Sequence, residues 1–163
     1  MRFALKILLA LTLFSFSVAG ADSQFLIRDS QSAAASDSAA VEKTAEQFVE
    51  AFTNLDWERF RRFFAADATV FFPPSARSPR RANGKAEIEA VFRSVFDNAR
   101  KQKSSPPYLN IQPKEMKIQM LGDVAIVTFH LEDPDSLGRR TIVFQKRGGQ
   151  WLIVHLHASA ERR

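Results

Sequence analysis

Hydrophobic positions change their period part-way along this chain. From Val41 they recur at helical spacing, through Ala45, Phe48, Phe52 and Leu55, with Glu42, Lys43, Glu46 and Glu50 on the opposite side. That is a two-sided helix, with Ser38 placed to cap it. Asn54-Leu55 breaks the pattern, and Asp56 stands where it can cap a second, shorter helix. Its apolar side is Trp57, Phe60, Phe63 and Phe64; Glu58, Arg59, Arg61 and Arg62 stay wet. Residues 69–72 read as a strand ended by Pro73-Pro74, because proline cannot donate to a ladder. After a loop over residues 75–84, Ile88, Val91, Phe92, Val95, Phe96 and Ala99 mark a third helix.

From Tyr108 onward the signals are those of strands. Residues 114–121 alternate, with Met116, Ile118 and Met120 on one side, and Gly122-Asp123 suits a type II′ turn into a strand over 124–132. A loop over 133–138 leads to a hairpin centred on Gly148-Gly149, two residues that can both take the positive φ of a type I′ turn. Alternation then puts Leu152, Val154, Leu156 and Ala158 on one face, and Trp151, Ile153, His155, His157 and Ser159 on the other. Two helices, a strand, a helix and four antiparallel strands predict an α+β fold, with one twisted sheet and helices across one of its faces.

Composition adds a compartment. Arg2 and Lys6 precede an apolar run over 7–18 and a small-residue site at Ala19-Gly20-Ala21, so residues 1–21 read as a signal peptide. Residues 22–40, rich in Ser, Ala and Asp, read as a flexible leader, and 41–160 as the domain. Cleavage predicts a secreted or periplasmic protein with no stable membrane association. With no cysteine, packing alone must hold the fold. The net charge of +5 falls by two with the signal segment, and the remaining Lys and Arg are interleaved with acids. That argues against nucleic acid as a partner.

Three stretches carry a family resemblance: DWERFRRFFAADATVFFP at the end of the helix pair, NGKAEIEAVFRSVF at the third helix and GQWLIVHLHAS in the last strand. Over residues 41–160 the pattern resembles the nuclear-transport-factor-2-like superfamily in its SnoaL-like branch. The closing W-x-I-V-H-x-H-x-S is similar to the last strand of the calcium/calmodulin-dependent kinase association domain. The resemblance implies a cone-shaped curved antiparallel sheet wrapped around three N-terminal helices, with a pocket at its wide end and dimerisation through its outer surface. It does not imply a reaction, since such domains include isomerases, dehydratases, cyclases and non-enzymatic scaffolds. Association domains project arginines into the pocket where this chain has Leu131, Ile142 and Ala158, so no anion clamp is expected. Steroid-isomerase relatives use a tyrosine on the first helix, where this chain offers Phe48 and Phe52; its only tyrosine is Tyr108.

The candidate pocket residues are Phe52, Trp57, Phe60, Phe71, Phe92, Phe96, Phe129, Leu131, Ile142, Phe144 and Leu156, apolar side chains expected to face the helices or line the open end. The candidate dimer face is Thr128, His130, His155 and His157. If a reaction occurs, His130, His155 or Asp67 would move the proton, although Asp67 and Asp56 also fit a turn and a helix cap. The three histidines with Glu132 have the donor types of a zinc site, but i, i+2 histidines on a dimerising face fit interface bonds better, so no metal or cofactor is expected. Arg77, Arg80, Arg81 and Lys85 form a basic loop that could rim the pocket. The expectation is a homodimeric domain binding a small, largely apolar ligand or serving as a non-catalytic module. The alternatives are a cofactor-free isomerase, dehydratase or cyclase, and a protein-recognition module using the outer sheet face.

Overall fold

The computed structural model describes residues 21–73 and 79–162. The expected signal segment up to residue 20, and Arg77 of the basic loop, lie outside them. The chain divides into two units, residues 1–33 and 34–163. In the first, the described residues open helix α1, Ala21–Thr53. Ser38 therefore lies inside this helix instead of capping it, and the helix runs through residues 22–40, expected as a leader.

The second unit contains the fold. Helix α1 ends at a tight corner where Leu55 takes φ +51° while fully buried. Arg100 Nη2 donates to the Leu55 carbonyl at 2.8 Å, holding the corner against helix α3, Gly84–Gln102. Asp56 caps helix α2, Trp57–Phe60, by accepting from the Arg59 N–H at 3.1 Å. A single 3-10 turn, Arg61–Phe63, follows, and Arg61 forms a bidentate pair with Glu89 of α3. The chain then enters strand β1, Phe64–Phe71, five residues earlier than expected. Phe64 thus belongs to a strand and not to the helix.

The loop after Pro73 contributes a short strand that its arginine-rich sequence concealed, β2, Arg81–Asn83, paired antiparallel with β1. Four longer strands complete the sheet: β3, Lys114–Leu121; β4, Val124–Asp133; β5, Ser136–Arg147; and β6, Gln150–Arg162. The loop expected over 133–138 is tighter than predicted, because Ser136 already pairs with Asp133. Gly122 takes φ +62°, and Gly148 and Gly149 take +57° and +79°, the values the two predicted turns require. The curved, open sheet runs β2-β1-β6-β5-β4-β3. Its pairings are antiparallel except for β1 with β6, which is parallel and joins the two ends of the domain.

Strand β6 departs from simple alternation. Val143 lies opposite His155 while the next residue, Phe144, lies opposite Ile153, so Val154 has no partner in β5. This β-bulge inverts the parity of the strand. Before it, Trp151 and Ile153 are buried; after it, Leu156 and Ala158 are buried. The predicted faces therefore hold for Leu156, Ala158, His155 and His157 but are reversed for Trp151 and Ile153. Leu152 and Val154 are half-buried.

Among the described residues the buried core contains no polar or charged residue. Its centre is aromatic. Phe60 has six rings around it, with centroids at 4.8 Å for Phe92, 5.0 Å for Phe96, 5.3 Å for Phe48, 5.4 Å for Phe64, 5.5 Å for Phe52 and 6.3 Å for Trp57. Their offset and edge-on geometries are the favourable ones.

Candidate ligand pocket

The helices and the sheet do not close completely on one another. A cavity of about 280 Å³ remains, near the small end of ligand sites. Helix α1 contributes Phe48, Val49 and Phe52, and α3 contributes Phe92 and Val95. Phe72 and Pro73 follow β1, and Ile111 precedes β3. The sheet supplies the inward-facing residues of its last three strands: Phe129 and Leu131, Arg140 and Ile142, Leu156 and Ala158.

Six of the expected residues thus line the cavity: Phe52, Phe92, Phe129, Leu131, Ile142 and Leu156. Five do not. Phe60, Phe96 and Phe144 are wholly buried in the packed core. Trp57 is half-buried beneath the Arg93 guanidinium, 4.3 Å from its ring. Phe71 points away from the helices: it is 40% exposed and stands edge-on to His155 and His157. Its neighbours Val70 and Phe72 take the inward positions, since alternation allows only one side.

The candidate acid–base groups lie outside the cavity. His155 shares a 2.8 Å hydrogen bond with the Thr69 hydroxyl, and His130 Nδ1 is 3.3 Å from Glu115. Partial burial, and then the charge of His157, hold His155 below the ordinary imidazole value. Asp67 is exposed and gripped by Arg147 Nη1 and Nη2, at 2.6 and 3.1 Å, which holds its carboxyl below the usual range. Asp56 is the α2 cap. No cluster of three or more His, Asp or Glu side chains suited to a metal occurs among the described residues. Of the basic loop, Arg80 and Arg81 are exposed, while Lys85 Nζ donates to the Phe64 carbonyl at 3.3 Å.

Cross-strand register gathers the expected dimer-face residues on the outer surface. Lys117, Thr128, Thr141, His157 and Phe71 form one row across five strands. Gln119, Ile126, Val143, His155 and Thr69 form another. His130 lies opposite Arg139 on the same surface.

Sequence reasoning missed Arg140, which shares the inner face of β5 with Ile142 and Phe144. The signal was available, since a strand of period two ending in a placed turn fixes which arginine of the Arg139-Arg140 pair turns inward. Arg140 Nη1 donates to the carbonyls of Arg139 and Ser159, each at 2.9 Å. Burial lowers its pKa, with no neighbouring charge contributing.

A family profile described as a SnoaL-like domain matches residues 41–162. The chain belongs to the SnoaL-like domain family. No protein of curated function matches it. Solved structures share the fold. A dehydratase candidate of the NTF2-like family from Streptomyces avermitilis is 20% identical, with 76% of this chain and 95% of that one covered and a TM-score of 0.63. A ketosteroid isomerase candidate from Shewanella frigidimarina is 24% identical, with coverages of 74% and 94% and a TM-score of 0.59. A candidate calcium/calmodulin-dependent protein kinase II association domain from Xanthomonas campestris is 22% identical, with coverages of 74% and 85% and a TM-score of 0.53. At these identities the likeness is one of architecture, and this SnoaL-like chain must be read from its own side chains.

Proposed function

We propose that this SnoaL-like domain binds a small, largely apolar molecule in the cavity between its helices and sheet and performs no chemistry on it. One observation carries the reading: the cavity lining is apolar apart from Arg140, and a guanidinium neither accepts nor releases a proton near neutral pH. Proton transfer by an isomerase, dehydratase or cyclase needs an ionisable group within hydrogen-bond reach of the substrate. His130, His155 and Asp67 are engaged elsewhere, by Glu115, Thr69 and Arg147. The fold neighbours with isomerase and dehydratase names therefore lend a scaffold to this reading and not a mechanism.

The test is a titration of the domain with 1-octanol, followed by the methyl NMR signals of Val49, Ile111, Leu131, Ile142 and Leu156. Saturable shifts at these methyls are expected, with Ile126 and Val143 on the outer face unmoved. Shifts that never saturate, or that appear on the outer face, would overturn it.

A second reading concerns assembly. Phe71 stands exposed beside His155 and His157, in one row with Thr141 and Thr128, which favours a homodimer packed through the outer sheet face. Sedimentation should then find a dimer that Phe71→Glu converts to monomer; a monomeric wild type would leave this surface to a different protein. The signal-like residues 1–21 support an exported protein, and N-terminal sequencing of the mature form should begin at Asp22.

A further inference from the structure

Arg140 is an unusual side chain for the place it occupies. Its neighbours on the cavity wall are Ile142, Phe129, Leu131 and Ala158, and none of the ion pairs among the described residues involves it. Setting a guanidinium into such a wall costs solvation that two backbone carbonyls return only in part. The sequence around it accommodates the group. A side chain at Gly138 would bring its Cβ to 3.1 Å from Nη1 and 3.5 Å from Nη2, so a glycine at that position leaves the guanidinium its room.

The hydrogen bonds are one-sided. Nη1 is held by two backbone carbonyls, while Nε and Nη2 make no hydrogen bond among the described residues. The backbone bonds fix the plane of the fork and leave its other edge unused. Two adjacent N–H groups in one plane match the two oxygens of a carboxylate, and a planar pair of charge-assisted bonds is what arginine forms best.

Arg140 also marks a boundary. A polar recess of about 220 Å³ shares Arg140, Leu131 and Ile111 with the apolar cavity, and is otherwise lined by such residues as Asn110, Gln112 and Lys114. Glu132 and Asp133 line that recess too. The unused edge of the fork, Nε and Nη2, matches one carboxylate group. A single carboxylate at the fork, with its hydrocarbon in the apolar cavity, satisfies both sides of the boundary.

From this geometry we infer that the ligand of this domain is an apolar monocarboxylic acid, its carboxylate paired with Arg140 and its hydrocarbon tail among Phe52, Phe92, Phe129 and Leu156. The inference rests on the pocket-binding reading above and adds the charge and the orientation of the ligand. It replaces the expectation of a cavity without an anion site, which followed from matching only Leu131, Ile142 and Ala158; the arginine stands two residues before Ile142 on the same face.

The experiment compares octanoate with 1-octanol by calorimetric titration of the folded domain at neutral pH. Octanoate should bind at least tenfold more tightly than octanol. Arg140→Met should remove that preference by lowering octanoate affinity to the level at which the same variant binds octanol, and Arg140→Lys should retain part of it, as a point charge without the fork. Equal affinities of the two probes for the wild type would overturn the carboxylate assignment and leave the apolar pocket standing. A preference that survives in folded Arg140→Met would overturn the role of Arg140. Failure of both probes to bind would overturn the pocket reading itself. The wild-type comparison needs no variant to fold.

Discussion

Phe60 touches every part of the aromatic core, from α1 through β1 to α3, and its own ring is wholly buried. Phe60→Ala should therefore destabilise the domain by about 3–5 kcal/mol, read as a lower urea midpoint at an unchanged slope. Its inward direction was legible in the helical spacing, but whether its site is filled or hollow was not. That depends on how closely two layers approach, and no local pattern encodes it; the same limit explains Phe96 and Phe144. His155 offers a pH test at this scale. Because partial burial and His157 depress its pKa, the folded domain binds this proton less readily than the unfolded chain does. Stability is thus full above the unfolded value of about 6.5 and declines as pH falls through the folded one. An NMR titration should give His155 a midpoint below about 6.5. His157→Gln should raise it only part of the way, since burial is the larger cause.

Turn chemistry and alternation made most elements readable. The Gly148-Gly149 connection is a case with a measurable cost: both residues have positive φ and nothing stands within 4 Å of the Cβ either could carry. Gly149→Ala should consequently destabilise by about 1–2 kcal/mol through backbone conformation alone, by urea unfolding, and Gly149→Asn by less. The bulge at Val154 was not legible, because an apolar residue inserted between apolar neighbours leaves no mark on a pattern of hydrophobicity. Its consequence is large, since one unpaired residue sends Trp151 and Ile153 inward while keeping both histidines out. The strand within the arginine-rich loop, Arg81–Asn83, escaped for a related reason. It is three residues long and gains its identity only from pairing with β1. Parallel pairing of β1 with β6 likewise joins segments about ninety residues apart, which spacing along the chain does not report.

On the scale of the molecule, the SnoaL-like fold places helices on one face of a sheet and leaves two surfaces for function: an inner cavity of about 280 Å³ and an outer face carrying Phe71 and the histidines. The family was legible in the three quoted stretches, and so was the division between an inner hydrocarbon side and an outer imidazole side in the last strand beyond its bulge. The chemistry inside the cavity was less so, because Arg140 is one of two adjacent arginines and only its parity distinguishes it from the exposed Arg139. Ligand binding inside the domain is the claim on which the functional account depends, and filling the cavity tests it most directly. Ala158 is small, lines the cavity and lies in β6, so Ala158→Phe would occupy the space a ligand needs. Calorimetric titration of this variant with 1-octanol should show affinity reduced at least tenfold from wild type, with the melting transition still cooperative. Unchanged affinity in the folded variant would place the binding site elsewhere and contradict the account.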